Sequence, residues 1–183
     1  MNANPIIDTL MTFEKAIAGT HAPAEIIDSL QLIEVRYWSF DERLHQGQLV
    51  VHREAVEDMR EIFALIERSL FPVGRVIPIV KYGWSDDASM EDNNTSAFNY
   101  RFVLGTERLS RHACGRAIDI NPRQNPVIYD DGRISPAGTV YNPGAAGSFS
   151  AGHTIVKEFL KRGWQWGGFF KSLKDYHHFD RPA

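Results

Sequence analysis

Apolar residues recur at helical spacing in four segments of the chain. In residues 53–72 every third or fourth residue is apolar and Pro72 closes the pattern, so a helix is predicted there. The apolar stripe of this helix consists of Val56, Met59, Phe63, Ile66 and Leu70. Residues 154–163 show the same spacing and end at a glycine. Two further helices are predicted in residues 5–19 and 24–34, because their apolar positions also follow this period.

The strands predicted from the sequence are short, and most of them lie in the second half of the chain. They are runs of β-branched and aromatic residues bounded by turn-forming residues. The runs cover residues 34–40, 47–52, 75–82, 117–121, 127–135 and 175–180. The run 127–135 contains an Asp-Gly pair, which is typical of a tight hairpin. Residues 85–99 are mostly small and polar, and we expect an ordered surface loop there.

The order of these elements predicts one α+β domain over residues 1–183. Helices dominate residues 1–72, and strands dominate residues 73–183, without strand–helix–strand alternation or an internal repeat. A length of 183 residues is sufficient for one hydrophobic core. We therefore expect a mainly helical first part and a second, catalytic part with a small, mostly antiparallel sheet that helices cover.

The charge balance argues against two classes of partner. Twenty basic and twenty-three acidic residues give 20 − 23 = −3, and neither sign forms a long block. The sequence therefore predicts no binding of nucleic acid or anionic lipid. No apolar stretch is long enough to span a bilayer, and residues 1–19 lack the pattern of an export signal. The single cysteine, Cys114, rules out an internal disulfide.

A histidine and an aspartate stand seven positions apart in the stretch "LSRHACGRAIDINP". In one regular strand, His112 and Asp119 would point to opposite faces, so Gly115 between them predicts a turn that lets both converge. Catalytic zinc usually has three protein ligands from His, Asp, Glu or Cys and one position for water. We expect these two residues to be ligands of one Zn²⁺ ion, and a bulkier residue at Gly115 to close the turn.

The third ligand is expected in the stretch "DYHHFD", the other dense cluster of suitable side chains. Adjacent residues of a strand face opposite sides, so only one of His177 and His178 can coordinate. Asp175, three positions before His178, is placed to act as a general base toward the attacking water. The simpler alternative for Asp175 is a carboxylate at a turn or strand start.

A second alternative uses a thiol nucleophile. Cys114 follows His112 by two positions, with Asp119 available to orient the histidine. Such a pair in one turn seldom reaches the required geometry, so we favour the metal.

These motifs resemble those of the zinc D-alanyl-D-alanine carboxypeptidase and L-alanyl-D-glutamate endopeptidase family, which includes VanY-like enzymes and phage endolysins. The first family signature, Ser-x-His followed by Gly, Ala and Asp, is matched by Ser110, His112, Gly115, Ala117 and Asp119. The second, Trp-Gly-Gly followed by Asp-x-x-His-Phe, is matched by Trp166, Gly167, Gly168, Asp175, His178 and Phe179. Many members of the family carry glutamate where this chain has Asp175. The resemblance covers roughly the second half of the chain, and the first seventy residues match no functional motif.

The resemblance implies a role for each matching residue. His112, Asp119 and His178 are the implied zinc ligands, with His177 facing elsewhere, and Asp175 is the implied base. Arg101 matches an arginine that stabilises the oxyanion or holds a substrate carboxylate; alternatively it forms a surface salt bridge. Ser110 either orients a ligand or is a local turn hydroxyl.

The implied function is hydrolysis of peptide bonds in peptidoglycan stem peptides. The bond is either the terminal D-alanyl-D-alanine bond or the L-alanyl-D-glutamate bond, and the sequence does not distinguish them. The alternative is an inactive module of the same fold that binds wall peptides. The function predicts a location in the cell envelope or periplasm, while the lack of a visible export signal leaves a cytoplasmic or phage-lysis origin open. The sequence indicates no oligomeric state.

Overall fold

The computed structural model describes residues 4–103 and 105–182. Its helices within these residues are α1 (Phe13–Ala16), α2 (Ala24–Ile27), α3 (Val56–Arg68), α4 (Asp86–Glu91) and α5 (Thr154–Lys161). Its strands are β1 (Ile6–Ile7), β2 (Leu30–Trp38), β3 (Leu44–His52), β4 (Arg75–Val76), β5 (Asn94–Thr95), β6 (Ala117–Asp119), β7 (Val127–Tyr129), β8 (Ile134–Ser135), β9 (Gln165–Trp166), β10 (Leu173–Asp175) and β11 (His178–Asp180). The mixture of helices with several small sheets confirms the α+β class.

The longest regular unit is the antiparallel hairpin of β2 and β3, whose nine residue pairs run from Leu30–His52 to Trp38–Leu44. Strand β1 adds to the other edge of β3 in parallel. One face of the hairpin, with Ile33 and Val35, packs against α3. The opposite face, with Leu30 and Val50, packs against residues of the first two short helices. Both faces of the hairpin therefore carry core residues, although Glu34 and Arg36 of β2 are exposed.

Two three-stranded sheets carry three of the predicted site residues, Asp119, Asp175 and His178. Strand β11 lies between β6 and β9, and β7 lies between β10 and β8, all antiparallel. Phe179 of β11 stacks on Phe159 of α5 with a centroid distance of 3.9 Å. Both residues belong to the same buried cluster as Ile33 of β2, so the first and second parts of the chain share one core.

The predictions that depended on strong apolar patterns are confirmed, with altered bounds. The predicted helix in residues 53–72 is α3, in which Val56, Met59, Phe63 and Ile66 are buried. Leu70 is an exception, because it lies beyond the helix with φ of +54° and is exposed. The helix in residues 154–163 is α5, and the hairpin in residues 127–135 is β7–β8.

The prediction of a mainly helical first part is wrong. Helices α1 and α2 have four residues each, whereas β2 and β3 have nine each. In residues 24–34 the apolar positions fit a helix as well as a strand. Ile33, Val35 and Tyr37 alternate with exposed polar residues and therefore select the strand.

Three predictions in the second part also need correction. Residues 85–99 are not a loop, because Ser85 caps α4 by accepting a hydrogen bond from the Ala88 amide, and β5 follows. Residues 75–82 form only the two-residue β4 and then a 3₁₀ turn. Residues 175–180 are not one strand, since a turn separates β10 from β11. No helix of the described residues is long and apolar enough to cross a membrane.

Candidate metal centre

Three side chains from distant parts of the sequence meet at the edge where β6 pairs with β11. The Nε2 atom of His112 lies 3.2 Å from Nδ1 of His178 and 3.2 Å from Oδ2 of Asp119. The Nδ1 atom of His178 lies 2.9 Å from Oδ1 of Asp119. His112 and Asp119 are buried, and His178 is half-buried. The predicted ligand set is thus brought together in the fold.

The local backbone explains how the three residues converge. Asp119 and His178 are paired residues of adjacent antiparallel strands, which places their side chains on the same face. His112 reaches this face from a 3₁₀ turn that ends at Gly115, where φ is +65°. A Cβ atom at Gly115 would lie 2.6 Å from the His52 amide nitrogen, so only glycine fits. The bend expected between the first two ligands is present.

Each histidine ring of the cluster is fixed by an acceptor on its far side. Nδ1 of His112 lies 2.5 Å from the carbonyl oxygen of Ala97, and a carbonyl can only accept, so this nitrogen carries the proton. Nε2 of His178 lies 3.1 Å from a carboxylate oxygen of Asp180 and donates in the same way. The remaining nitrogens, Nε2 of His112 and Nδ1 of His178, therefore point toward each other and toward Asp119. Outer acceptors of this kind orient metal-bound histidines.

The spacing of the three donor atoms fits a tetrahedral ion. With metal–ligand distances near 2.0–2.1 Å, neighbouring ligand atoms of a tetrahedron are about 3.3 Å apart. The three separations of 2.9–3.2 Å are close to this value. Two nitrogens and one oxygen are also a donor set that zinc accepts while keeping a fourth position for water. The residues present therefore fit the predicted ion.

The electrostatics of the cluster favour positive charge. Burial alone would lower the pKa of His178, but its hydrogen bonds to the Asp119 and Asp180 carboxylates outweigh burial and raise the pKa to about 10. Burial likewise would raise the pKa of Asp119, but the charges and hydrogen bonds of the surrounding histidines hold this pKa well below its usual range. A cation at the centre would satisfy the same carboxylate.

Asp175 ends β10 and is separated from the cluster by one imidazole ring. Its Oδ1 atom lies 3.1 Å from Nε2 of His177, and that Nε2 lies 4.0 Å from Oδ1 of Asp119. Nδ1 of His177 donates to the carbonyl oxygen of Asn125 at 2.8 Å. Oδ1 of Asp175 is buried and accepts no hydrogen bond from the described residues, while the side chain as a whole keeps 19% of its exposure. The arrangement suits a base beside a metal-held water.

Two features near Asp175 correct or extend the sequence analysis. His177 does not face away from the site, since its buried ring lies between Asp119 and Asp175. Gly167 of the Trp-Gly-Gly motif lies directly against Asp175. A Cβ atom there would be 2.8 Å from Cβ of Asp175. This glycine therefore makes room for the strand end that carries Asp175.

Ser110 and Arg101 both make local contacts in the structure. Oγ of Ser110 accepts a hydrogen bond from the His112 amide at 3.2 Å and caps the turn that carries this histidine. The Arg101 guanidinium forms an ion pair with Asp86. Its backbone carbonyl accepts a hydrogen bond from the Ser110 amide at 3.0 Å, so Arg101 flanks the His112 turn. Among the described residues, no ion pair or hydrogen bond joins its guanidinium to the cluster.

The thiol alternative is disfavoured by the contacts of His112. One ring nitrogen bonds to Ala97 and the other faces His178 and Asp119. Neither is available to take a proton from the half-buried Cys114.

Sequence reasoning missed Asp180, Ala97 and Asn125 as supports of the site. Sequence reasoning could have found Asp180, because residues two apart in a strand share a face and Asp180 follows His178 by two. The other two act through backbone carbonyls that tertiary folding brings in, and no local signal marks them.

Residues 104–181 match the family model described as D-alanyl-D-alanine carboxypeptidase. The matched segment contains the cluster residues and Asp175, whereas Arg101 and everything before it lie outside. A search of curated proteins and a search of solved structures found no match. The site region is therefore that of a peptidase, a class of hydrolase. The match supports the family resemblance recognised from the sequence: residues 104–181 are similar to D-alanyl-D-alanine carboxypeptidases.

Proposed function

We propose that this protein is a zinc-dependent peptidase that hydrolyses peptide bonds of peptidoglycan stem peptides. The observation that carries the proposal is the convergence of His112, Asp119 and His178 with donor atoms 2.9–3.2 Å apart. The family match supports the class of reaction. Family association supports the metal and the wall substrate, and we propose an envelope location on the same ground.

The proposed mechanism assigns one task to each residue near the centre. His112, Asp119 and His178 would hold the ion, which supplies Lewis acidity toward a water and the scissile carbonyl. Asp175 takes the proton of the attacking water and later delivers it to the leaving amine. The His177 ring is fixed by Asn125 and lies 3.1 Å from Oδ1 of Asp175, so it limits where this carboxylate can move.

Arg101 is proposed to face the developing negative charge. In the present structure its partner is Asp86, and both side chains keep about a third of their exposure, at 33% and 28%. A substrate carboxylate or oxyanion would have to compete with Asp86 for the guanidinium. We propose that substrate binding shifts this pairing, which a cation at the rim of the site permits.

The proposal is tested by a digest of purified muropeptides with the zinc-loaded protein, with and without a chelator, with products identified by mass spectrometry. The family description supports the D-alanyl-D-alanine bond as the first substrate, and loss of one terminal alanine would establish it. Release of a peptide that begins with D-glutamate would instead establish the endopeptidase. Binding of stems without metal-dependent cleavage would contradict the proposal and support an inactive wall-peptide-binding module.

Asp175→Asn provides the matched variant for this digest. The amide cannot accept the proton of the water, so we expect a fall of about 10²- to 10⁴-fold in kcat with zinc content unchanged. The control is Asp130→Asn, which alters an exposed carboxylate of the neighbouring hairpin turn. Equal rates for Asp175→Asn and the unaltered protein would remove Asp175 from the mechanism.

A further inference from the structure

Asp58, in the first turn of α3, contacts two segments of the second half of the chain. Its Oδ2 atom accepts hydrogen bonds from the Trp164 indole and from the Arg181 guanidinium, both at 2.9 Å. Its Oδ1 atom lies 3.3 Å from the Arg162 guanidinium. The Asp58 side chain keeps only 15% of its exposure, and Trp164 is buried. One carboxylate of α3 therefore holds donors that lie more than 100 residues further along the chain.

Two of these donors lie at the ends of strands in the sheet that carries the metal centre. Trp164 directly precedes β9, and Arg181 directly follows β11. Strand β11 carries His178 and, two residues later, Asp180, whose carboxylate fixes the His178 ring. Because consecutive residues are covalently joined, a shift of Arg181 also moves Asp180. The position of Arg181 therefore bears on the orientation of the proposed ligand.

Arg181 depends on Asp58 more than Arg162 does. In the described part of the chain, Arg181 forms an ion pair with Asp58 alone. Arg162, by contrast, also pairs with Glu61 and Glu158. Loss of the Asp58 charge would therefore leave Arg181 without a carboxylate partner, while Arg162 would keep two.

The Trp164 indole forms a second connection between Asp58 and β11. The indole ring packs edge-on against Phe159 with a centroid distance of 5.5 Å, and Phe159 stacks on Phe179 of β11. A buried N–H without an acceptor is unfavourable, so the hydrogen bond to Asp58 fixes the position of this ring. Asp58 thus contacts β11 indirectly from two sides, through Arg181 and through the aromatic core.

We propose that Asp58 is a positioning residue of the metal centre, which acts on His178 through Arg181 and Asp180. The Asp58 carboxylate holds Arg181, Arg181 fixes the end of β11, and Asp180 at that end orients the ring that binds the metal. Asp58 lies outside the matched residues 104–181, so the inference gives the first part of the chain a role in the site. It rests on the metal of the proposed function but not on the reaction, because metal binding is measured without substrate.

The test compares Asp58→Asn with Glu61→Gln, a matched control one turn further along α3. Glu61 is exposed and pairs with Arg162, and among the described residues no hydrogen bond or ion pair joins it to Trp164 or Arg181. Competition with a chromophoric chelator measures the zinc affinity of the folded variants. We expect Asp58→Asn to bind zinc about 3- to 10-fold more weakly, a smaller loss than for an acceptor that touches the ligand itself. Glu61→Gln should bind zinc as the unaltered protein does.

A double-mutant cycle tests the route through Arg181. Arg181→Gln should weaken zinc binding by a factor similar to that of Asp58→Asn, and the double variant should lose no more than either single variant. The Co²⁺-substituted protein adds a spectroscopic readout, since the visible absorption of bound Co²⁺ depends on the geometry of its ligands. We expect this spectrum to change in Asp58→Asn and in Arg181→Gln, and to stay the same in Glu61→Gln.

Unchanged zinc affinity in Asp58→Asn would overturn the positioning role, even if the free energy of unfolding falls. Additive losses in the double variant would overturn the route through Arg181. If Asp58→Asn does not fold, Arg181→Gln decides, because it breaks the same ion pair at a side chain with 36% exposure. Zinc binding that depends on Asp58 without hydrolysis of any stem peptide would support the inference and contradict the proposed peptidase. No zinc binding by the unaltered protein would overturn both.

Discussion

The hairpin β2–β3 with α3 and the region of the metal centre are built in different ways. The hairpin has nine residue pairs and a regular backbone ladder, and its apolar residues pack on α3. The strands around the centre have only two or three residues each. Buried asparagines beside these strands add side-chain hydrogen bonds to the backbone of neighbouring segments. Regular elements thus supply the core, while side-chain hydrogen bonds to the backbone supply the geometry of the site.

Asn121 and Asn125 show how the second kind of construction works. The Asn121 side chain makes three hydrogen bonds of 2.8–3.0 Å to the backbone of two segments, at Pro72 and Gly74 and at Gly147. The Asn125 side chain accepts from the Phe149 amide at 2.7 Å, and its own backbone carbonyl accepts from His177. Both asparagines are fully buried. They replace ladder hydrogen bonds that such short strands cannot provide.

The largest expected effect comes from removing a cluster residue. His112→Ala, Asp119→Ala and His178→Ala should each lose bound zinc, because each takes away one of three protein ligands. His177→Ala should keep the metal and lose about 10- to 100-fold in turnover, because Asp175 is no longer held. Metal content after dialysis is the measurement. An empty centre in His177→Ala with a filled one in His178→Ala would reverse the assignment of the two histidines.

A smaller effect is expected from the acceptor behind His178. Asp180→Asn keeps the shape but weakens the hydrogen bond to Nε2, so the affinity for zinc should fall about 10- to 100-fold. Competition with a chromophoric chelator measures this affinity. Asp131→Asn, an exposed carboxylate of the hairpin turn, is the control. An unchanged affinity in Asp180→Asn would show that the carboxylate does not orient the ring.

Stability measurements compare the two kinds of construction directly. Asn125→Ala removes four hydrogen bonds to buried backbone groups, and we expect it to lower the free energy of unfolding by about 3–5 kcal/mol. Ile33→Val in the regular hairpin should cost only about 0.5–1.5 kcal/mol. Urea unfolding of both variants is the test. Equal losses would mean that the asparagine is not a principal support of the irregular region.

The smallest effect is a pH dependence of stability that the metal should remove. Because the pKa of His178 is raised to about 10, its protonated form stabilises the metal-free protein fully below the unfolded pKa, near 6.5. This contribution is lost as the pH rises from about 6.5 toward 10. In the zinc-loaded protein the neutral His178 ring binds the metal, so the free energy of unfolding should not decline over this pH range. Urea unfolding across this pH range, with and without zinc, measures this contribution. A free energy of unfolding that does not change with pH in the metal-free protein would contradict the raised pKa of His178.

The difference between the two regions also explains what the sequence could predict. Helix α3 was predicted because Met59, Phe63 and Ile66 repeat at helical spacing, a signal that lies entirely within the element. Helix α4 was missed because its residues are small or acidic and carry no apolar repeat. Its available signal was Ser85, a helix-capping residue followed by two aspartates. The apolar positions Ile26, Ile27 and Leu30 fit both a helical and a strand period, and tertiary packing decided between helix and strand there.

The candidate site was predictable as a set of residues but not as an arrangement. Spacing in "SRHACGRAID" indicated His112 and Asp119, and the family motif selected His178 over His177. The contact of His177 with Asp175 depends on a turn between two strands of different sheets, which the local sequence does not encode alone. The pairing of Arg101 with Asp86 depends in the same way on the helix that the sequence analysis missed.

The most direct test of the central claim is anomalous diffraction at the zinc absorption edge from crystals of the zinc-loaded protein. We expect one strong peak about 2.0–2.2 Å from Nε2 of His112, Nδ1 of His178 and an Asp119 oxygen. A peak at Cys114 or His177, or no peak among the three side chains, would contradict it.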